Sequence, residues 1–526
     1  MGLTTCLTLS SFWSSVTYAG YVLQETVKQG KSIEKQFSQY QTSCQVGEVL
    51  RDLPEEIFER YPGNQNQYRE ICVATQDKTL GPVESKRLSD VEVRAILKSG
   101  PNNNRIILTF LGDGYTASEK SRFYTDVERM VRDLMDGPTF RSYRSLFNIY
   151  AVFASSRDSG LSDRQRLDTA YDLYRVPAGS KRGIRVGNRR AVESALKEVP
   201  AFTDYPIIIA NDDFYGGLGG RYAITTRSHT SGTMVLRHEL GHNFSNVGEE
   251  YDGGQVYSGA NFSSSDRPAW KQWIDQTLKP QRSKFLTGSY VWQDLGKKEF
   301  RKDFQFNEPG DFLYQLELSA VGWESENDVQ ILLDGKELKI TGEFTADRTF
   351  LNTELFPIQK GRHTLIIRDL NNDGNNVLAF ANGYAFPAEH DFTPDKVGAY
   401  NVFGDGGRMR GYRPTYSQCL MREMSSLTFC PVDQENIWLR FLGRVSLIDR
   451  VVQNESQLTV ETLNLSGLKI KWFAKSANGW NQLGANQRTL DTSTHDAREF
   501  KVEVEFETKE IRKQSKHTID SKIIKI

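Results

Sequence analysis

The sequence lacks a large excess of either charge and lacks any long apolar run. Lys and Arg number 66 against 67 Asp and Glu, which leaves a formal net charge of -1 over 526 residues. A nucleic-acid-binding protein needs an excess of Lys and Arg to neutralise phosphates, so nucleic acid is not expected as a partner. No stretch approaches the ~20 apolar residues that a membrane-spanning helix requires, so no membrane span is expected.

Cysteine is scarce as well, with five residues in the whole chain. One of them, Cys6, falls in residues 1–20, an uncharged and moderately apolar segment. This segment is interpreted as a signal peptide without the usual basic start, the alternative being a frayed N-terminus. The spacing of the other four cysteines suggests two local disulfides, Cys44 with Cys72 and Cys419 with Cys430. Because disulfides form in oxidising compartments, a secreted, extracellular protein is expected; unrelated buried thiols are the alternative.

Continuous apolar runs predict buried strands between helices in the first half of the chain. The predicted strands cover 105–111, 147–153, 205–210 and 221–226, with a helix after Thr116 and another at 235–244. Strands that alternate with helices predict a mixed α/β sheet. From about 290 short strands follow at 312–318, 329–333 and 363–367, and further strands follow after 451. These two segments predict an inserted β-sandwich and a small C-terminal β domain.

The segment His238-Glu239-Leu240-Gly241-His242 is the clearest chemical signal. Two histidines four residues apart lie on one face of a helix, so both imidazoles can bind one zinc ion. Glu239 then faces the open position on the metal, where a carboxylate can take a proton from bound water and pass it to a leaving amine. The alternative is an ordinary amphipathic helix whose apolar face holds the leucines of the segment.

The third metal ligand has two candidates. In the metzincin pattern it follows a glycine turn, six residues after the second histidine, but that position here is Gly248. Asn246 tolerates the left-handed conformation and is predicted to end the helix as glycine would. Glu249 lies three residues beyond this turn and is the preferred ligand, with Glu250 as the alternative.

These residues resemble the IgA-peptidase-like metallopeptidases, a family of the zincin clan. In that family the zinc helix leads through a turn to an acid-Glu-Tyr triplet, whose counterpart here is Glu249-Glu250-Tyr251. The resemblance covers about 105–290 and 388–445. Besides the triplet, eight short motifs carry it: Leu111 to Thr116, Phe147 to Val152, Ser156 to Gly160, Asn211-Asp212, Tyr215 to Gly217, Gly398 to Tyr400, Tyr412 to Pro414 and Cys419 to Arg422. The sequence departs from the family at Asn246, where glycine is usual, and at Glu249, where aspartate is usual.

The resemblance implies a metzincin-like α/β zincin catalytic domain with one catalytic zinc ion and a protein or peptide substrate. It also implies that Met421 forms a Met-turn beneath the metal. It does not imply cleavage of immunoglobulin. The expected organisation is a signal peptide at 1–20, an N-terminal domain or pro-segment at 25–95, the catalytic domain in two parts at 96–289 and 388–450, the inserted β-sandwich at 290–387, and the C-terminal β domain at 451–526.

The insert contains two secondary candidates. Residues 369–375 place acids and amides at alternate positions before Gly374, as a calcium loop does, but Phe380 occupies the position of the closing glutamate. A solvated hairpin turn is favoured there over a Ca²⁺ site. Trp323 is interpreted as an exposed aromatic, so the insert is expected to bind glycan or protein, or to act as a spacer. An insert with its own core is also expected to be removable without loss of the zinc site.

The predicted function is that of a secreted zinc-dependent endopeptidase that hydrolyses peptide bonds with a metal-activated water. Two alternatives remain open at this point: a zinc hydrolase of a non-peptide amide bond, and a catalytically degenerate β-rich binding or adhesion protein. Three tyrosines are candidates for stabilising the oxyanion of the reaction, namely Tyr251, Tyr412 and Tyr416.

Overall fold

The computed structural model describes residues 88–526, except 164, 177–182, 254–258, 275–278, 289, 372 and 405–406, and the backbone of four N-terminal strands. The chain divides into two compact units, Met1–Lys86 and Arg87–Ile526. In the first unit, an antiparallel sheet of order β2-β1-β4-β3 is formed by Thr17–Lys28 (β1), Lys31–Gln45 (β2), Glu48–Asp52 (β3) and Asn66–Ala74 (β4). The start of the predicted signal peptide and the side chains of Cys44 and Cys72 lie outside the described residues.

The second unit is built around a six-stranded mixed sheet. The strands in this part of the chain are Ser89–Lys98 (β5), Ile106–Asp113 (β6), Phe147–Ser155 (β7), Leu173–Arg175 (β8), Ile184–Val186 (β9), Tyr205–Ala210 (β10), Gly217–Leu218 (β11) and Ala223–Thr226 (β12). The sheet order is β11-β12-β10-β6-β7-β5. Its four central strands are parallel and its two edge strands are antiparallel. The central strands coincide with the four apolar runs, because strands covered on both faces need apolar residues throughout.

Within the described residues, four α-helices accompany this sheet: Lys120–Asp136 (α1), Arg189–Leu196 (α2), Gly232–Phe244 (α3) and Pro431–Leu442 (α4). The last residue of α3 anchors it in the core. The ring of Phe244 lies 5.2 Å from Phe140, 5.4 Å from Phe147 and 5.1 Å from Phe441, measured between centroids. The edge-to-face contact with Phe441 holds the helix against α4, and the tilted contact with Phe147 holds it against the sheet. No helix among the described residues is long and apolar enough to cross a membrane.

The insert consists of two antiparallel sheets that share one core. Its strands are Lys284–Thr287 (β13), Tyr290–Asp294 (β14), Phe300–Phe306 (β15), Phe312–Trp323 (β16), Val329–Leu333 (β17), Lys336–Glu337 (β18), Ile340–Gly342 (β19), Thr345–Thr353 (β20), Phe356–Ile358 (β21), Gly361–Asp369 (β22) and Val377–Pro387 (β23). Seven strands form one sheet around β23, β16 and β20, and β15-β22-β17-β18 form the other. Asp334 and Gly335 both have positive φ, 52° and 77°, as a two-residue hairpin turn requires.

One expectation about the insert is wrong. Trp323 is 0% exposed and packs in the core between the two sheets, so it presents no surface to a glycan. The insert also makes a buried contact with the segment that leads from the six-stranded sheet into α3. Its strand β20 supplies Asp347, whose Oδ2 accepts hydrogen bonds of 2.6 Å from the hydroxyls of Ser228 and Ser231 just before α3. That the insert can be removed stays a prediction, although its removal would take a buried partner from the start of α3.

We expect Asp347→Ala to lower the free energy of unfolding by about 2–3 kcal/mol. The change leaves two buried hydroxyls without their acceptor and removes a negative charge from the N-terminal end of a helix. Urea unfolding followed by tryptophan fluorescence measures the loss. Asp311→Ala, at an exposed position of the same insert, serves as the control and is expected to be neutral within about 0.5 kcal/mol. Equal stability of the two variants would contradict the role of Asp347.

The last third of the chain returns to the catalytic core and then forms two small sheets. Its strands are Tyr400–Phe403 (β24), Met409–Arg413 (β25), Ile448–Asn454 (β26), Gln457–Thr462 (β27), Leu468–Ser476 (β28), Gly479–Ala485 (β29), Thr489–Asp491 (β30), Glu499–Phe506 (β31) and Ile519–Lys525 (β32). The C-terminal strands pack on α4, where the rings of Trp438 and Phe506 lie 5.0 Å apart. Their apolar residues are continuous with the core beneath α3.

Candidate metal centre

Three side chains converge at the C-terminal end of α3. Nε2 of His238 lies 3.2 Å from Glu249 Oε2, and Nε2 of His242 lies 3.1 Å from Glu249 Oε1. The two imidazole rings are nearly perpendicular, with centroids 4.9 Å apart. One ligand atom from each of the three residues lies within 4.8 Å of the others. Two imidazoles and one carboxylate at this separation match the donors of a zinc site that keeps one position open.

The other nitrogen of each imidazole is held by a backbone carbonyl. Nδ1 of His238 lies 3.3 Å from the carbonyl oxygen of Leu420, and Nδ1 of His242 lies 3.2 Å from that of Val247. Donation from Nδ1 leaves the lone pair on Nε2, so both rings present an acceptor towards Glu249. This second contact is what orients a metal-binding histidine and sets its tautomer.

Met421 lies directly beneath the helix. It is 0% exposed, and its sulfur lies 2.9 Å from the point where a β-carbon on Gly241 would stand. The absence of a side chain at Gly241 therefore lets the turn at 419–421 approach the helix between the two histidines. The position is the one that the resemblance implied for a Met-turn.

The two candidate third ligands point in different directions. Glu249 faces the imidazoles, whereas Glu250 is buried on the other side of the loop, where its Oε1 accepts a 2.9 Å hydrogen bond from Asn261 Nδ2. The backbone N–H of Glu250 donates to the carbonyl of Met421 at 3.0 Å. The loop thus brings Glu249, and not Glu250, to the histidines.

The turn that leads to Glu249 differs from the prediction. The helix ends at Phe244, and Ser245 is already extended with φ -135° and ψ 168°. Asn246 does not have a positive φ. Its backbone N–H instead donates to Asn436 on α4 at 3.0 Å. A long-range contact ends the helix here, so the conformational tolerance of asparagine is not used.

The charges within the site reinforce each other. Burial alone would favour neutral forms, but the charges of the two imidazoles hold the pKa of Glu249 well below its usual range. Burial likewise disfavours the charged form of His242, yet the carboxylate of Glu249 outweighs it and raises the pKa of His242 to about 9. A divalent cation bound here would favour the neutral imidazoles and the ionised carboxylate, because metal ligands must carry no proton.

Glu239 lies beside the convergent ligands, in a small cleft. The cleft is lined by Tyr215, Gly217, Val235, His238, Glu239, Tyr251, Arg348 and Met424. The carboxylate of Glu239 passes so close to Gly219 that a β-carbon there would stand 2.0 Å from Oε2. Of the three candidate tyrosines, Tyr251 is the one that lines this cleft, whereas the hydroxyl of Tyr416 donates to Gln315 at 2.9 Å.

The sequence reasoning missed Arg348, which the insert contributes to the cleft. This residue is 3% exposed, its Nε donates to Ser319 Oγ at 2.9 Å, and its Nη1 donates to the hydroxyl of Tyr215. Its guanidinium carbon also lies 4.7 Å from the ring centroid of Tyr215. No local pattern marks Arg348, because its partners on the catalytic side lie more than a hundred residues away in sequence.

The sequence also provided no indication of Asp252, whose carboxylate holds the loop that carries Glu249 in place. It is 0% exposed and accepts hydrogen bonds from the backbone N–H of Phe403 at 2.7 Å and from the hydroxyl of Tyr384 at 3.0 Å. The guanidinium of Arg422 lies 3.4 Å from the same carboxylate. Asp252 therefore ties the loop to the insert and to the segment after Met421.

Two predicted sites remain, the candidate Ca²⁺ loop and the disulfide expected between Cys419 and Cys430. In the loop at 369–376, Asp369 Oδ1 accepts from the backbone of Asn371 at 3.1 Å and from Asn376 Nδ2 at 2.9 Å. These bonds are those of a polar turn, and Asn372 lies outside the described residues. Cys419 and Cys430 are both buried free thiols in the structure, in place of the bridge expected from their spacing.

Comparison with known proteins gives one informative match. Residues 94–305 match the family model described as IgA Peptidase M64. No curated protein sequence matches the chain. Among solved structures, a cycloisomaltooligosaccharide glucanotransferase from Paenibacillus sp., complexed with cycloisomaltoheptaose, shares 13% identity over 63% of this chain and 53% of its own, with a TM-score of 0.13.

A beta-glucosidase from Streptomyces venezuelae, in complex with D-glucose, shares 10% identity over 56% of this chain and 60% of its own, with a TM-score of 0.15. The chain thus spans little more than half the length of these two proteins, and scores this low support no argument about fold or activity. The family match, in contrast, spans the segment that carries His238, Glu239, His242 and Glu249. The match over residues 94–305 supports an IgA-peptidase-like metallopeptidase family for this part of the chain.

Proposed function

We propose that this protein is a secreted zinc-dependent endopeptidase whose catalytic domain has a metzincin-like α/β zincin fold. The observation that carries the proposal is the convergence of His238, His242 and Glu249 next to Glu239, within the segment that matches a peptidase family. The mixed sheet beside α3 and the methionine beneath it support the zincin assignment. Secretion rests on the uncharged segment at 1–20 alone.

The three convergent side chains would hold the metal. Their donor set fits zinc, since two neutral imidazoles and one carboxylate leave a position for water. Bound there, zinc supplies a water of lowered pKa and polarises the carbonyl of the scissile bond. The backbone carbonyls of Leu420 and Val247 keep both imidazoles in the tautomer that binds metal.

Glu239 is the proposed general base. Its carboxylate lies in the cleft rather than between the two histidines, so it is free to accept a proton from the attacking water. The same carboxyl group then donates that proton to the amine that leaves when the peptide bond breaks. Gly219 leaves the space that this carboxylate occupies.

Tyr251 and Arg348 are proposed to face the substrate. Both line the cleft with Glu239, and Tyr251 lies beside His238 with ring centroids 6.3 Å apart. A phenol or a guanidinium in this position can donate a hydrogen bond to the oxyanion that forms as the carbonyl is attacked. Arg348 reaches the cleft from β20, so the insert completes the substrate site in this proposal.

Digestion of a peptide library, analysed by mass spectrometry with and without a chelator, tests this function. We expect internal cleavage of peptides that stops on chelation and returns when zinc is added. Cleavage that persists in the chelator would exclude a metal-dependent mechanism. No cleavage by zinc-loaded protein would favour the alternatives, a hydrolase of a non-peptide amide bond or a degenerate binding protein.

A further inference from the structure

A second cluster of metal-ligating side chains lies behind the catalytic centre. Glu250, Cys419, Cys430 and Asp433 each place one ligand atom within 4.8 Å of the others. All four are buried, with exposed fractions of 1%, 0%, 1% and 0%. The proposed peptidase chemistry uses none of these side chains, so an inference about them stands apart from it.

Three different segments of the chain supply the cluster. Glu250 follows Glu249 in the loop after α3, Cys419 precedes the turn at Met421, and Cys430 and Asp433 begin α4. Asp433 Oδ2 lies 3.1 Å from the sulfur of Cys419, and the backbone N–H of Cys430 donates to that sulfur at 3.3 Å. The groups are thus packed around one point rather than spread over a surface.

Two buried carboxylate oxygens of the cluster take part in no hydrogen bond. Neither Oε2 of Glu250 nor Oδ1 of Asp433 has a hydrogen-bond partner. An unpaired buried carboxylate oxygen is costly, and two acids facing two thiols provide few donors to reduce that cost. Burial raises the pKa of both Asp433 and Cys430 above the usual range of such groups.

A divalent cation would supply both a positive charge among these acidic groups and a bonding partner for the two unpaired carboxylate oxygens. Two thiolates and two carboxylates are a four-coordinate donor set that suits zinc. In a tetrahedral zinc site the ligand atoms lie roughly 3.3–3.8 Å apart, so the cluster would contract only slightly on binding. The residues Cys430-Pro431-Val432-Asp433 also have the two-residue spacing of a zinc knuckle, with aspartate in the second position.

The N-terminus of α4 stabilises the negatively charged forms of Cys430 and Asp433 that metal binding requires. Cys430 is the N-cap of this twelve-residue helix, and Asp433 lies in its first turn. The positive end of the helix therefore lies beside the thiolate and the carboxylate, where it offsets part of their negative charge. Thiols at helix N-termini lose their protons more readily, which metal binding requires.

We propose that Glu250, Cys419, Cys430 and Asp433 form a second, structural zinc site. Binding would displace the protons of the two thiols and any proton held by the two acids. The ion would link the loop of Glu249, the turn of Met421 and the start of α4. Since Glu250 directly follows Glu249 and Leu420 directly follows Cys419, this site would position the third ligand and the carbonyl that orients His238.

Cobalt substitution distinguishes the two sites, because only the second contains sulfur. Reduced full-length protein, stripped of metal and loaded with Co²⁺, is expected to bind two equivalents and to show the near-ultraviolet charge-transfer absorption of cobalt–thiolate bonds. The double variant His238→Ala, His242→Ala is expected to keep one equivalent and this absorption. If that variant bound no Co²⁺ and lacked the cobalt–thiolate absorption, the proposal would be overturned, since the cluster would then bind no metal of its own.

Variants of Asp433 avoid the removal of a buried thiol. Asp433→Asn keeps the shape but loses the charge, and we expect it to bind one equivalent less zinc, measured by inductively coupled plasma mass spectrometry. Asp433→Cys restores a ligand and is expected to restore two equivalents and strengthen the cobalt–thiolate absorption. Wild-type protein with one zinc and no such absorption would contradict the proposal. So would a Cys419–Cys430 disulfide, found by non-reducing peptide mapping of native protein.

Discussion

Glu239→Gln is expected to bind metal as the wild type does and to lose about 10²–10⁴-fold in kcat. Glutamine keeps the size and hydrogen bonding of the side chain but cannot accept the proton of the attacking water. The carboxylate does not lie between the histidines, so its loss removes no metal ligand. Peptide cleavage and metal content, measured on the same preparation, separate the two effects.

Glu128→Gln is the matched control for this experiment. Glu128 is exposed on α1, so the substitution removes the same charge from a helix without touching the cleft. We expect it to cleave peptides at the wild-type rate. If Glu239→Gln also cleaves at that rate, Glu239 is not the general base and the proposed mechanism fails.

His238→Ala and Glu249→Gln are both expected to cost the protein one equivalent of bound metal. An alanine removes an imidazole outright, and a neutral amide is a much poorer ligand than a carboxylate. Since even partners that only orient a ligand change metal affinity by about 10–100-fold, we expect the affinity to fall by more than about 100-fold. Equilibrium dialysis against buffered zinc measures the affinity of each variant.

His229→Ala is the matched control, because His229 is exposed in the loop just before α3. It is expected to retain all bound metal. A Glu249→Gln variant that binds zinc as tightly as His229→Ala would exclude Glu249 as a ligand. The third ligand would then have to come from elsewhere, since the carboxylate of Glu250 lies towards Asn261 instead of the imidazoles.

Local features of this protein were predictable from sequence because their causes are local. The histidines at 238 and 242 share a helix face by virtue of the helical repeat, whatever surrounds them. The apolar runs predicted at 105–111, 147–153 and 205–210 form the centre of the mixed sheet because their burial requires apolar side chains on both faces.

The direction of a side chain was harder to predict: the sequence favoured Glu249 over Glu250 as the third ligand but left both open. Glu249 and Glu250 are adjacent acids, and contacts with Asn261 and Met421 decide which one faces the histidines. Asn246 and Trp323 were misinterpreted for a related reason. A contact with Asn436 ends the helix at Phe244, and a second sheet covers Trp323 on the face that its own strand leaves open.

The sequence by itself determined the helix that carries His238 and His242, the mixed sheet, the β-rich insert and the family resemblance, since periodicity, apolar runs and short motifs are properties of neighbouring residues. Only the tertiary structure decided that Asp347 and Arg348 of the insert reach the start of α3 and the cleft. It alone brought Glu250 and Asp433 to the two cysteines. These contacts join segments that lie far apart along the chain, and a local pattern carries no information about which distant segment completes it.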